Sequence, residues 1–241
     1  MHTLQELIAD LAALGIESSD LVFVHSSYKS LGSVDGGAKT VVAALMKSVG
    51  ETGLLLMPSF NLVDRDKRTK NWDVESTPST VGWITEYFRR MPDTYRSDHY
   101  SHAVAARGYG AKAFVADHRS DFGMSSPWDL QPWGKTYGDD SPMYRAYRNN
   151  GKLLMLGVDY QSSTYVHLVE VMFWSRSRKA DPDAKYRFLD REALGSFWDR
   201  RGTMRTGRVG DAACRLIRID SYVDALLAEV ERNPDSYTKG K

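Results

Sequence analysis

The 241-residue chain has a single cysteine, Cys214, and so can close no internal disulfide. A lone thiol fits a reducing compartment. Charge of either sign is also missing in excess: 32 Lys and Arg stand against 31 Asp and Glu, a formal net charge of +1. A protein dedicated to DNA or RNA normally carries a basic surplus over its whole domain, so that class is excluded. No apolar run approaches the roughly 18 residues that suggest a membrane span. Glu6 and Asp10 stand where a signal peptide would need its apolar core. Together these absences predict a cytoplasmic protein with neither nucleic-acid nor membrane partners. What is present is ordinary: 42% apolar residues suffice for a sizeable core and argue against disorder. The length suits one α/β domain over residues 1–241, and neither a repeat nor a linker divides it.

Thr3 and Glu6 form a capping box ahead of Leu4, Leu7, Ile8, Leu11 and Leu14, which recur at helical spacing until Gly15. Leu21 to Val24 is a short apolar run, read as a strand buried on both faces. A glycine-rich turn from Gly32 to Gly37 leads into a helix from Ala38 to about Val49, and Gly53 to Met57 is a second buried strand. Strand, helix and strand in succession predict a βαβ unit with a parallel pair. Residues 61–76 read as a long polar loop, Thr77-Pro78 as the start of a helix to about Arg90, and Lys152 to Gly157 as a third buried strand. Ser162 or Ser163 is expected to cap a helix through about Trp174. A second capping box is expected at Ser221 to Asp224, ahead of Leu226, Leu227 and Val230.

The chemistry-bearing residues collect where these strands end. Open α/β sheets bind ligands at the carboxyl ends of their strands, and His25-Ser26-Ser27 lies there. The turn that follows suits a phosphate at a helix N-terminus, or is merely tight. It is one residue out of register with a nucleotide-binding P-loop, because Ala38 stands where the lysine must be. His167 and Glu170, three residues apart, share one helix face just after the third strand. Such a pair acts as a general base with an orienting carboxylate, or is an exposed ion pair. His99, His102 and His118 lack the flanking Cys or carboxylate pattern of a metal site, and no metal is expected. Cys214 lies in apolar surroundings and reads as an inert thiol, and no nucleophile-elbow motif occurs.

Taken in order, His25-Ser26-Ser27, Leu31-Gly32, Gly36-Gly37-Ala38, Met57-Pro58-Ser59-Phe60, Arg96-Ser97-Asp98-His99, Gly138-Asp139-Asp140-Ser141-Pro142 and Ser163 to Glu170 resemble the aminoglycoside 3-N-acetyltransferase family. The resemblance covers nearly the whole chain. It implies a single three-layer α/β/α domain with a mixed, partly parallel sheet, unlike the GNAT acetyltransferases. It also implies direct transfer of acetyl from acetyl-CoA to the 3-amino group of an aminoglycoside, an antibiotic-resistance activity. His167 would be the general base, Glu170 its partner or a holder of the amine, and Thr164 a donor to the thioester carbonyl. His25, Ser26, Ser27, Leu31, Gly32, Ser33, Val34, Gly36, Gly37, Arg96 and Ser97 would line the coenzyme A site. Asp64, Asp73, Asp159 and Glu170 would meet a cationic acceptor.

Two departures stand out. Gly-x-x-Ser-Pro occurs at both Gly123–Pro127 and Gly138–Pro142, so residues 121–138 read as an inserted loop. Its Trp128, Trp133 and Tyr137 form a wall of the acceptor pocket or pack on themselves. The loop from Asn61 to Asp73 carries three carboxylates but four basic residues, a poor match for a polycation. The same chemistry on a different amine, and a coenzyme A- or nucleotide-binding protein without transferase activity, remain the alternatives. A homodimer is compatible with the sequence, which does not reveal oligomeric state.

Overall fold

The computed structural model describes residues 1–63 and 67–239. Its strands are Leu21–Ser26 (β1), Leu54–Pro58 (β2), Tyr95–Arg96 (β3), Val104–Gly108 (β4), Lys152–Leu156 (β5), Met204–Val209 (β6) and Ala212–Arg218 (β7). They form one sheet in the order β3-β4-β2-β1-β5-β7-β6. The central trio β2-β1-β5 is parallel, with His25 opposite Met155 and Ser26 opposite Leu156. The flanking pairs are antiparallel. Near-continuous apolar sequence in β1, β2 and β5 is what burial on both faces requires.

The helices are Leu4–Leu14 (α1), Gly37–Val49 (α2), Arg68–Asn71 (α3), Trp83–Arg89 (α4), Ala111–Val115 (α5), Pro142–Arg148 (α6), Tyr165–Ala180 (α7), Arg191–Arg201 (α8) and Ile219–Arg232 (α9). Alternate strand residues feed two cores. Val22, Val24, Leu55, Met57 and Leu154 pack against α1, α2 and α4. Phe23, Leu54, Leu56, Leu153 and Met155 face α5 to α9. A mixed sheet between two helical layers is the expected architecture. No helix among the described residues is long and apolar enough to cross a membrane.

The capping box at Thr3 forms as expected, and Gly15 ends α1 at φ 106°. Four helix boundaries differ from expectation. The Thr77-Pro78 stretch is not helical, because its backbone is tied to distant segments: Thr80 N–H donates to Phe60, and the Thr77 carbonyl accepts from Arg96. The helix starts instead after Gly82. Neither Ser162 nor Ser163 caps α7, since a 3₁₀ turn over Tyr160–Ser162 intervenes and Thr164 is the cap residue. That helix also runs on to Ala180. Ser221 lies inside the first turn of α9, which β7 enters directly through Arg218.

Candidate active site

β1 and β5 deliver their carboxyl ends side by side, and α7 begins a short step beyond β5. A cleft of about 800 Å³ opens there, with His25, Ser26, Pro58, Thr164 and His167 among its walls. Thr164 and His167 are held in one helical turn, with His167 N–H donating to the Thr164 carbonyl at 3.1 Å. That carbonyl also accepts from the Tyr137 hydroxyl at 3.2 Å.

Nδ1 of His167 stands 2.6 Å from Oε2 of Glu170. Glu170 is buried, and both its oxygens are engaged: Oε2 also accepts from the Tyr186 hydroxyl at 2.7 Å, and Oε1 from Leu189 N–H at 2.8 Å. Burial and the adjacent Glu170 carboxylate drive the Tyr186 phenol far above its ordinary range, so it remains a donor. Arg191 can only donate, and its Nη2 lies 2.5 Å from Nε2 of His167. The tautomer that fits both contacts carries its proton on Nδ1 toward Glu170 and turns its Nε2 lone pair to Arg191. The buried carboxylate is oriented to stabilise the imidazolium when that lone pair takes a proton.

His25 is buried behind this pair. Desolvation, assisted by the positive Arg191, lowers it to about 3, and it stays neutral. Its Nε2 accepts from Thr164 N–H at 3.3 Å and lies 3.1 Å from the Thr164 hydroxyl. Ser26 lines the cleft, and its Oγ is buried without a hydrogen-bond partner. Ser27 accepts from Ser30 at 2.9 Å, and Ser30 also bonds the Gly157 carbonyl. Gly157, at φ 67°, lets these two turns meet, since a Cβ would lie 2.5 Å from Cβ of Ser30. A further hollow of about 530 Å³ begins at Ser30 and Asp159 and shares Val158 and Ser162 with the cleft.

Other residues singled out in the sequence lie elsewhere. Leu31 is buried in the core, and Gly32, Ser33, Val34, Gly36 and Gly37 form a turn away from the walls of the cleft. That turn is bound to the chain start, through His2 N–H to Ser33 and Asp35 N–H to His2. Arg96 donates to the carbonyls of Ser59, Val74 and Thr77 and lies over Trp72. Ser97 is buried between Val104 N–H and Nδ1 of His118. Asp73 accepts from Glu75 and Ser76 of its own turn, and Asp159 caps the 3₁₀ turn at Gln161 N–H. Asp64 lies outside the described residues.

The 121–138 segment brings Trp128 over the site, with its ring centroid 4.8 Å from that of His167. Trp133 is packed away beside Ala103 and Trp72. His102, whose place in the cleft wall the sequence did not suggest, stands 5.9 Å from His167, ring to ring. His118 spends both ring nitrogens on Ser97 and the Thr136 carbonyl, and no metal-binding group occurs among the described residues. Tyr186 and Arg191 were also invisible in the sequence, lying 16 and 21 residues beyond Glu170, one in an irregular return of the chain and the other at the start of α8.

An imidazole backed by a buried carboxylate thus stands at the mouth of an α/β sheet. Residues 23–231 match the family described as aminoglycoside 3-N-acetyltransferase, and the chain belongs to that family. It is 30% identical over 258 residues to the SPbeta prophage-derived aminoglycoside N(3')-acetyltransferase-like protein YokD of Bacillus subtilis, covering 92% of this chain and 90% of that protein. It is also 30% identical over 246 residues to aminoglycoside N(3)-acetyltransferase IV of Salmonella sp, covering 95% and 87%. The crystal structure of aminoglycoside acetyltransferase AAC(3)-IVa superposes with a TM-score of 0.79 at 26% identity, covering 99% of this chain and 92% of that one.

Proposed function

We propose that the protein is an acetyl-CoA-dependent N-acetyltransferase that moves acetyl directly to an amine, with His167 as general base. The observation that carries this is the 2.6 Å contact of His167 Nδ1 with a buried carboxylate that Tyr186 and Leu189 N–H hold in place. The cleft suits the donor: its orphan Ser26 hydroxyl and the hollow joined at Val158 and Ser162 offer a narrow track for a pantetheine arm. Bound acetyl-CoA supplies an acetyl group on a thioester, whose thiolate leaves readily.

The amine attacks the thioester as the free base, and Nε2 of His167 takes the proton that its nitrogen sheds as the new C–N bond forms and the C–S bond breaks. Glu170 steadies the imidazolium, which then returns the proton to the departing thiolate. The Thr164 hydroxyl and the positive N-terminus of α7 offset negative charge on the carbonyl oxygen. His25 positions Thr164 and, being neutral, adds no competing charge.

The acceptor that the relatives favour is the 3-amino group of an aminoglycoside: AAC(3)-IVa has been solved in complex with a gentamicin. A second reading, the same chemistry on an amine that is not an aminoglycoside, is favoured by the cleft itself. Among its walls Arg191 sets a guanidinium against Nε2 of His167. Release of coenzyme A thiol should be measured over a panel of aminoglycosides and simple amines. His167→Ala should abolish it; persistence of transfer in that variant would overturn the mechanism.

A further inference from the structure

Arg191 blocks the atom on which the proposed chemistry depends. Its Nη2 is 2.5 Å from Nε2 of His167 and its Nη1 2.5 Å from the Gln161 carbonyl, so the lone pair that must accept the amine proton already has a donor on it. The same guanidinium forms part of the boundary between two cavities. One is the 800 Å³ cleft; the other, about 810 Å³, lies against Lys185, Arg187 and Lys239 and shares His167, Phe188 and Arg191 with the first. Glu170 is the one carboxylate among the described residues lining either cavity, and both its oxygens are engaged. Among the described residues, a substrate reaching His167 meets the guanidinium of Arg191 first, while Arg187 is paired with Asp235.

We infer that the acceptor is an amine that carries its own anionic group, a carboxylate or a phosphate, and that this group draws Arg191 off His167. The inference rests on the acetyl-transfer reading above and names the acceptor class for it. A charge-assisted bond from a guanidinium to an anionic oxygen is stronger than one to a neutral imidazole, so exchange of partners is downhill. It frees Nε2 only when the acceptor is in place, which couples exposure of the base to arrival of the correct amine. The phosphates of coenzyme A do not answer the same need. With the thioester beside His167, the whole pantetheine arm separates them from Arg191. A polycation satisfies neither requirement, since it adds positive charge and leaves Arg191 where it is.

The test uses matched amines with the full-length protein and acetyl-CoA: glucosamine against its phosphate ester, butylamine against γ-aminobutyrate, and gentamicin as the polycation. The two anionic arms separate a phosphate from a carboxylate. At least one anionic member should exceed its neutral partner in kcat/KM by about tenfold or more, and Arg191→Gln should narrow that ratio to within about twofold. Arg191→Lys, which keeps the charge, should retain part of the preference. Preference for gentamicin over both anionic amines, or an unchanged ratio in R191Q, would overturn the inference. Calorimetric binding of the same pairs to wild type and R191Q reads it without turnover. If no amine is acetylated, the transferase reading fails; equal binding within both pairs then refutes the acceptor class too, and an Arg191-dependent preference upholds it.

Discussion

The indole of Trp128 stands across the imidazole of His167, with ring centroids 4.8 Å apart and planes at 67°. The same indole meets Tyr186 edge-on at 5.7 Å, so one side chain from the 121–138 loop touches both the base and a donor to its carboxylate. Trp128→Ala should leave a folded protein, because the residue is only half-buried, yet lower kcat/KM by about tenfold or more through lost alignment. Trp128→Phe should recover part of it. Equal steady-state kinetics in W128A and wild type would assign the loop a packing role alone.

Glu170→Gln keeps the size of the side chain and removes its charge. The imidazolium then loses its stabilising partner, and kcat should fall by about two orders of magnitude or more. Glu170→Ala should in addition destabilise the fold by about 1–3 kcal/mol, because it strands the buried Leu189 N–H. Denaturant titration of the two variants beside their kinetics separates the effects.

Stability should fall as pH drops from about 6.5 toward 4. Burial lowers His25 to about 3 and His118 to about 4, and holds His99 and His102 well below 6.5. Between those values the unfolded chain binds more protons than the folded one, so this contribution is whole above pH 6.5 and is lost on acidification. Each histidine contributes at most about 1.4 kcal/mol per pH unit within its window. His118→Gln should flatten the dependence of Tm on pH below 6.5; an unaltered slope would show that the ring is accessible to protons in the folded state.

Cys214→Ala should leave acetyl transfer within about twofold of wild type, a difference far below that of a lost nucleophile. The thiol is buried on β7 and burial raises its pKa, so native protein should react with iodoacetamide only on unfolding. Rapid labelling at neutral pH with loss of activity would restore a covalent mechanism.

The three parallel strands were legible because burial on both faces leaves a continuous apolar run, as in Leu54 to Met57. Their antiparallel neighbours were not. Met204–Val209 is mostly exposed along its length, and Tyr95–Arg96 is too short to carry a pattern. The pair His167 and Glu170 could be read from spacing on one helix. Its supports could not, since Tyr186, Leu189 and Arg191 reach it by a return of the chain that no local periodicity announces. Pro78 shows the opposite error. Its position favoured a helix start, but hydrogen bonds to distant loops had already claimed the surrounding backbone.

Arg96 gathers the carbonyls of Ser59, Val74 and Thr77 under one guanidinium, whose burial lowers its pKa to about 10. The cleft wall opposite His167, at Phe60 and Val81, grows from the segments so tied. Residues displayed along that wall can thus be exchanged while their anchorage stays put, which allows a new clientele without disturbing the His167–Glu170 pair. A single substitution at Arg96 would undo the tether for every such clientele at once.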